Sequence, residues 1–473
     1  MKEEQLPLVV DLDGTLIRTD SLWEGFYCLL STKPWLIILL PFWLIRGKVH
    51  LKAMLAEYCM PGMPYWPFTE SVLAYVRQAK QDGRPVYLAT AAHESVARAI
   101  CSQCGFFDGF FASSAEKNLK GKNKKALLIE QFGEKGFDYI GDSKADIPVW
   151  AACDKAFVVA GRRRLPQKVA LFNGATNTFH AGQPTIRAYL RALRVYQWVK
   201  NSLIFAPMLL AHQFTVTSFT SAALAFLSFS CTASSVYILN DLLDLCSDRQ
   251  HPQKRKRPFA SGLIPLSHGI PLTILFLGAG VVVALKLSLA FFACLGAYYC
   301  LTLAYSFWIK RQLILDIISL ACLYSLRLFA GGVAVGVSLS NWLLSFSLFL
   351  FLGLALVKRA AELTLKKKQG QTDAKGRAYE TRDYAIVENM AVSSGMCSIL
   401  VLAQYVDSLQ ASQIYSRPNL LWLLCPLFFC VYGRLLIITH RGEMHHDPIL
   451  FILRDTVSIC SVIVGVAVFV LAS

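Results

Sequence analysis

Charge is what this chain has least of. Asp, Glu, Lys and Arg make up only 16% of its 473 residues, where a soluble domain carries about 25%. Acids are the scarcer sign: 31 Asp plus Glu stand against 47 Lys plus Arg, for a net charge of +16. That shortage excludes an ordinary soluble enzyme of this length. Paired metal-knuckle cysteines are also absent. The 14 cysteines are scattered, and Cys101 and Cys104 form a lone CxxC with neither a second pair nor a histidine at ligand spacing. Buried, reduced thiols are the expectation, not zinc or redox chemistry. No nucleic-acid-binding motif accompanies the positive charge, so no nucleic acid is expected as partner; lipid headgroups or anionic substrates suit it. No cleavable leader is expected, because MKEEQLPLVVDLDG runs directly into a strand. Nothing in the chain bears on oligomeric state.

What is present in abundance is apolar surface, 55% of residues, unevenly spread. Over residues 1–160 short apolar runs at 6–10, 85–90, 109–113, 137–140 and 155–159 alternate with helical patterns. That alternation predicts an α/β domain on a parallel, Rossmann-like sheet. One apolar stretch there, 34–45, is too short to cross a bilayer, which takes about 20 residues. It reads either as a buried helix of a cap or as an interfacial helix. Residues 161–185, basic and then Gly/Pro-containing, read as a linker.

From 186 to 473 the chain reads as an all-α membrane domain. Nine apolar blocks are expected to span, at 187–211, 216–239, 265–286, 288–308, 313–336, 341–360, 386–407, 418–438 and 455–472. The loops at 249–257, 310–311, 358–383 and 440–454 are charged and alternate with short neutral ones. By the positive-inside rule the charged set is cytoplasmic, and the N-terminal domain lies on that side. A multi-pass protein of a bacterial-type inner membrane is the expectation.

Two constellations carry chemistry. In VVDLDGTL, Asp11 and Asp13 lie two apart at a strand end, where such residues point to one side. One carboxylate can attack phosphorus while the other moves a proton. In IGDSKADIPVW, Asp142 and Asp146 can complete a Mg²⁺ site with them. Thr90 ends another strand and can donate to a phosphoryl oxygen, and Lys124 can neutralise developing charge, though Lys120, Lys122 and Lys125 crowd its position. This set resembles the haloacid dehalogenase (HAD) superfamily, near its phosphoserine-phosphatase-like branch. The resemblance implies Asp11 as nucleophile, Asp13 as general acid/base, Thr90 and Lys124 as phosphoryl stabilisers, and Mg²⁺ held by Asp11, Asp13, Asp142 and Asp146. It also implies a helical cap after Thr15. A catalytically silent scaffold is the other reading of this domain.

The second constellation is ILNDLLDLCSDRQHPQKRKRPFASG. Asp241, Asp244 and Asp248 recur at i, i+3 and i+7, on one face of a helix. Carboxylates at a membrane boundary are costly unless paired or lining a polar cavity. With Asn240 they can hold Mg²⁺ that carries a diphosphate. Lys254, Arg255, Lys256 and Arg257 supply positive charge for phosphate oxygens. The spacing, the RPxxSG that follows and the apolar blocks together resemble the UbiA prenyltransferase superfamily. The match is nearest to polyprenyl-phosphate phosphoribosyltransferases through RVYQWVKN (194–201), YSFWIK (305–310), YSLRLFAGGVA (324–334), KRAAEL (358–363) and ILRD (452–455). One departure matters. The aromatic prenyltransferases of that superfamily carry a second Asp-rich motif after the sixth span. Here that loop holds Asp373 and Asp383 without a clear DxxxD pair, among eight Lys or Arg.

The resemblance implies a donor, phosphoribosyl diphosphate, on Mg²⁺ at Asn240, Asp241, Asp244 and Asp248. Its 5-phosphate would meet Lys254, Arg257 and Lys358. A polyprenyl phosphate acceptor would lie near Lys200 or Lys310, over a polar floor of Tyr305, Arg327, Arg359 and Glu362. The fused phosphatase would then remove the 5-phosphate. The alternative is an aromatic prenyltransferase using polyprenyl diphosphate, with the N-terminal domain in a separate or scaffold role.

Overall fold

The computed structural model describes residues 5–59, 65–114, 118–160, 177–180, 182–368, 378–444 and 447–473. Most of the expected linker, and Asp373, lie outside the described residues. The chain forms two compact units. One comprises Met1–Val195 with Tyr237–Leu275, the other Tyr196–Val236 with Phe276–Ser473. The Asp-rich stretch therefore groups with the N-terminal residues.

The first unit is built on six parallel strands in the order β3-β2-β1-β4-β5-β6. They are β1 (Leu8–Val10), β2 (Val86–His93), β3 (Gly109–Ser113), β4 (Asp138–Gly141), β5 (Ala156–Ala160) and β6 (Asn177–His180). Strand β1 is central because it is apolar on both sides, as a strand with both faces covered must be. Leu8 and Val10 join one buried cluster and Val9 joins the other. The five predicted strands are present. The sixth lies inside the expected linker, where its four residues pair with β5 from Phe157↔Asn177 to Ala160↔His180.

Among the described residues, seven α-helices accompany these strands up to β5: α1 (Ser21–Thr32), α2 (Leu40–Ile45), α3 (Lys48–Cys59), α4 (Glu70–Gln81), α5 (Glu94–Cys104), α6 (Lys122–Phe132) and α7 (Ile147–Trp150). Helices α1 to α3 form the expected helical insert between β1 and β2. Asp20 caps α1 by accepting from Leu22 N at 2.9 Å. The chain runs from β1 outward to β3 on one side and from β4 outward to β6 on the other. Strand order thus reverses at β1, and the crevice at the carboxyl ends of β1 and β4 is the place such sheets use for a site.

The chain is a multi-pass membrane protein. Among the described residues, seven helical stretches are long and apolar enough to cross a bilayer: Val216–Leu243, Leu266–Leu287, Leu289–Phe307, Leu315–Val335, Asn341–Lys368, Thr381–Val406 and Pro418–His440. The first and last expected blocks differ. Block 187–211 is divided into Ile186–Ala192, a 3₁₀ segment Val195–Phe205 and Ala206–Leu210, with Arg194 at φ 51° between the first two. The last, Thr456–Ala472, has 17 residues. Within the second unit three helices meet closely around Tyr432. A Cβ on Gly395 would lie 1.9 Å from Tyr432 Cε1 and one on Gly353 2.4 Å from its Oη, so only glycine admits this approach.

Candidate functional site

The sheet of the first unit gathers one set of groups. The Asp11 N–H donates to Ile140 O at 2.9 Å, which fixes the residue just beyond β1 beside β4. Its carboxylate, that of Asp142 and that of Asp146 bring ligand oxygens within 4.8 Å of one another. Gly14 makes room for this: at φ +78° its Cβ would stand 2.3 Å from Asp142 Oδ2. The Lys124 ammonium, buried in α6, donates to Asp11 Oδ1 at 2.7 Å and lies 3.5 Å from Asp146 Oδ1. Of the four crowded lysines, Lys120 and Lys122 are exposed and Lys125 is half-buried, whereas Lys124 is buried beside Asp11 and Asp146. Tyr139 completes the group, its hydroxyl donating to Asp146 Oδ1 at 2.8 Å and accepting from Lys124 at 2.9 Å. Three hard oxygen donors with one counter-cation suit a divalent ion such as Mg²⁺ in kind.

Asp13 departs from its expected metal role. Its Oδ1 accepts from Ser21 N at 2.8 Å and its Oδ2 from Ser21 Oγ at 3.0 Å, and it is not one of the three gathered carboxylates. The N-terminus of α1 has captured it. Burial, with Asp20 nearby, pushes its carboxyl up to about 8. Burial pushes Asp11 up to about 6 against the opposing pull of Lys124. Burial would lower Lys124, but Asp11 and Asp146 outweigh it and hold the ammonium above its usual range. Thr90 is fully buried, and its hydroxyl oxygen accepts from Ala92 N at 3.0 Å. Beside it, the sequence reading missed Lys52 of α3, whose Nζ donates to Ala91 O at 2.6 Å. It also missed Tyr139, which reads in sequence as one more apolar strand residue.

The Asp-rich stretch is arranged differently from the single helical face expected. The spanning helix ends at Leu243, Asp244 forms a turn, and a short helix Leu245–Gln250 follows. The i→i−4 bonds from Asp244 N to Asn240 O and from Asp248 N to Asp244 O keep the spacing across the break. Asp241 and Asp248 are buried, while Asp244 and Asn240 are half-buried. Among the described residues these carboxylates do not gather as tightly as the first set, and arginines pair with two of them, Asp241 and Asp248. Arg257 Nη1 lies 2.6 Å from Asp248 Oδ2 and 3.2 Å from Asp241 Oδ1. Arg194 adds its guanidinium to Asp241 at 2.5 Å and stacks over Tyr237. Burial pushes Asp248 up to about 6, against Arg257. Lys254 is exposed on the turn Lys254–Lys256.

The second unit holds further polar groups. Lys200 Nζ donates to Asp447 Oδ2 at 2.7 Å, and Lys358 Nζ lies 3.5 Å from the same oxygen. A small cleft lined by Tyr324, Lys358, Asp447 and Pro448 opens there. Asp447 escaped the sequence reading. Its only signal was an acid before proline in a charged loop, which also makes it the N-cap of Pro448–Ile452. Burial would raise its carboxyl, but Lys200 and Lys358 outweigh it and hold it below the usual range. Arg327 and Arg359, expected to meet substrate, are committed to the protein. Arg327 donates to Asn201 Oδ1 at 2.8 Å and Tyr298 Oη at 3.1 Å. Arg359 pairs with fully buried Asp316 and with Glu362. Tyr305 and Lys310 are half-buried. At the other end of Asn341–Lys368 lies an apolar cavity of about 230 Å³, lined among others by Pro207, Val337, Trp342, Phe346 and Tyr405.

Comparison with known proteins adds three likenesses and one family model. The model of the UbiA prenyltransferase family matches residues 202–377. The uncharacterized protein y4nM of Sinorhizobium fredii is 35% identical over 466 residues, covering 96% of this chain and 89% of its own. A decaprenyl-phosphate phosphoribosyltransferase of Mycolicibacterium smegmatis is 33% identical over 223 residues, 44% of this chain and 70% of its own. A solved UbiA homologue from Archaeoglobus fulgidus, bound to DMAPP and Mg²⁺, is 19% identical, covering 59% of this chain and 98% of that one at a TM-score of 0.46.

Proposed function

Because this chain belongs, through its C-terminal region, to the UbiA prenyltransferase family, we propose that it transfers a 5-phosphoribosyl group from phosphoribosyl diphosphate to a polyprenyl phosphate, and that its N-terminal domain is a HAD-type phosphatase acting on the product. The observation that carries the transferase half is the likeness to a decaprenyl-phosphate phosphoribosyltransferase over 70% of that protein's length. The basic loop after Asn341–Lys368 supports it, since a second phosphate group suits lysines and arginines better than a second metal does.

In this reading Asp241, Asp244, Asp248 and Asn240 would hold Mg²⁺, which would supply charge neutralisation for the donor's diphosphate, and Arg257 and Lys254 pair with the diphosphate oxygens. Lys200 and Lys358, steadied by Asp447, take a phosphate group. The acceptor oxygen attacks the anomeric carbon, the bond to diphosphate breaks, and diphosphate leaves with the electron pair. Arg194 and Arg257 offset the charge that builds on it. Arg327, Arg359 and Glu362 position the helices around this chemistry. The apolar cavity near Trp342 takes part of the isoprenoid chain.

In the N-terminal domain the Asp11 carboxylate attacks the phosphorus of a phosphomonoester and forms an aspartyl phosphate. Asp13, kept protonated near neutrality, gives its proton to the ester oxygen as its bond to phosphorus breaks, then takes a proton from the water that attacks the aspartyl phosphate, freeing phosphate and the Asp11 carboxylate. Lys124 and Thr90 steady the phosphoryl oxygens. Mg²⁺ at Asp11, Asp142 and Asp146 would supply charge neutralisation at the phosphoryl oxygens. The support is the convergence of Asp11, Lys124, Asp142 and Asp146 at the strand-order reversal. The protein is read as nine crossings of a bacterial-type inner membrane, counting the divided segment near 187–211 and Thr456–Ala472, with its N-terminal domain cytoplasmic.

Mass spectrometry of lipid products tests both halves. The wild type, given phosphoribosyl diphosphate and polyprenyl phosphate, is expected to release ribosyl lipid without the 5-phosphate. Asp11→Asn is expected to accumulate the phosphorylated ribosyl lipid. Prenylation of a hydroxybenzoate with no ribosylated lipid would overturn the transferase reading. Identical products from wild type and variant would overturn the phosphatase reading.

A further inference from the structure

The insert of the first unit carries an apolar surface that its own fold leaves uncovered. Between α1 and α3 the chain reads PWLIILLPFWLIRGK, and Trp35 is 65% exposed, Ile38 74%, Phe42 62%, Leu44 54% and Ile45 82%. The stretch is nevertheless ordered and two-sided. Trp43 is buried and stacked on Tyr58 with ring centroids 5.8 Å apart, and Leu36 and Leu40 pack on the core. A contiguous apolar plate of this kind on a globular domain marks an interaction surface.

Charge identifies its partner. From residue 25 to residue 56 there is no Asp or Glu, while Lys33, Arg46, Lys48 and Lys52 are all present. Arg46 and Lys48 are exposed directly after the plate. An apolar face with a basic rim is the composition of a segment that lies in the headgroup layer of an anionic bilayer.

The anchoring of α1 is an independent second observation. Glu24 of α1 accepts from Arg249 Nη2 at 2.6 Å and Nη1 at 3.0 Å, and Arg249 follows shortly after the spanning helix Val216–Leu243. The Tyr27 hydroxyl donates to Leu266 O at 3.1 Å, where the next spanning stretch, Leu266–Leu287, begins. The helix that leads into the plate is therefore bonded where the chain leaves the bilayer and again where it re-enters.

We propose that residues 34–45 seat the first unit in the headgroup layer of the membrane, with Trp35, Ile38 and Phe42 among the upper acyl chains and Arg46 and Lys48 on anionic headgroups. Only Arg46 and Gly47 separate α2 from α3, and α3 carries Lys52 to Ala91 of β2, beside Thr90. The plate and the phosphoryl site are thus two ends of one insert. On the phosphatase reading, the substrate class that follows is a phosphomonoester carried on a lipid in the same membrane plane.

The full-length chain tests this, with p-benzoylphenylalanine in place of Phe42 or, as control, in place of Glu130, which is exposed on α6. Each protein is reconstituted in vesicles of phosphatidylcholine and phosphatidylglycerol, irradiated and analysed by mass spectrometry. Phospholipid adducts are expected at position 42 and not at position 130, with the yield falling several-fold in an Arg46→Glu/Lys48→Glu background. Adducts to protein alone, no adduct, equal yields at the two positions, or a yield indifferent to charge reversal would overturn the proposal. The readout uses neither activity, so its failure leaves the phosphatase assignment standing, and the failure of Asp11→Asn to change lipid products leaves the membrane seat standing.

Discussion

Lys124 places one buried ammonium between two buried carboxylates, 2.7 Å from Asp11 Oδ1 and 3.5 Å from Asp146 Oδ1. Removing one partner of such a group leaves the others uncompensated, at a cost of about 3–5 kcal/mol. Lys124→Met is therefore expected to lower the first thermal transition of the purified chain. Added Mg²⁺ is expected to raise that transition more in the variant than in the wild type, because a ligand that binds only the folded state stabilises it and here replaces the missing cation. Phosphate release from p-nitrophenyl phosphate is expected to fall by about 10²–10³-fold. The absence of any Mg²⁺ effect in either protein would refute the reading of Asp11, Asp142 and Asp146 as a metal site.

The Glu24–Arg249 pair is as deeply buried, with side chains 0% and 5% exposed. Glu24→Leu or Arg249→Met alone is expected to cost about 3–5 kcal/mol, whereas the double replacement, which leaves no orphan charge, is expected to cost much less. Limited proteolysis between α1 and α3, alongside thermal unfolding of the three variants, checks the pattern. Additive losses would show the two charges acting independently.

Arg257 bridges Asp241 and Asp248, so the three are expected to act together. Asp241→Asn, Asp248→Asn and Arg257→Met are each expected to lower phosphoribosyl transfer by about 10²–10³-fold while leaving p-nitrophenyl phosphate hydrolysis unchanged. Combining two of them is expected to add little, as for residues that work as a unit. Transfer of labelled donor to polyprenyl phosphate measures it.

Asp447 gives a pH dependence whose sign is set by Lys200 and Lys358. Burial would raise its carboxyl, but the two ammonium groups outweigh it, so the folded value lies below the usual one. A depressed carboxylate stabilises the fold above its unfolded value of about 3.9 and loses that contribution as pH falls through the folded value. Thermal scans between about pH 7 and about pH 3 are expected to show a shallower acid loss in Asp447→Asn than in the wild type, from a lower starting stability at neutrality. Equal slopes would remove Asp447 from the account.

The parallel sheet was legible because a strand covered on both faces must be apolar throughout, and Leu8–Val10 is. The convergence of Asp11, Asp142 and Asp146 was legible because each follows a strand and strand ends on one side of a sheet lie together. What escaped has physical reasons. β6 is four residues long, and its pairing depends on β5 rather than on any pattern of its own. Asp13 was expected at the metal beside its acid/base role, but its carboxylate accepts from the amide and hydroxyl of Ser21, a contact that spacing in sequence does not announce. Arg194 reads as part of a continuous apolar block, yet it adopts φ 51° and turns its guanidinium to Asp241. Asp447 has no periodic signal, because its partners Lys200 and Lys358 come from distant segments.

The Glu24–Arg249 clasp also orders events during synthesis. Its halves are 225 residues apart, and at roughly 5–20 residues per second the ribosome needs on the order of ten to fifty seconds to pass from one to the other. Over that interval helix α1 carries a carboxylate meant for burial with no counter-charge to receive it. All six strands are made before residue 181, but the Glu24–Arg249 pair cannot form until the helix ending at Leu243 has been made and Arg249 has followed it. Completion of the N-terminal unit, which includes Tyr237–Leu275, thus comes only after the helix that ends at Leu243 has been made.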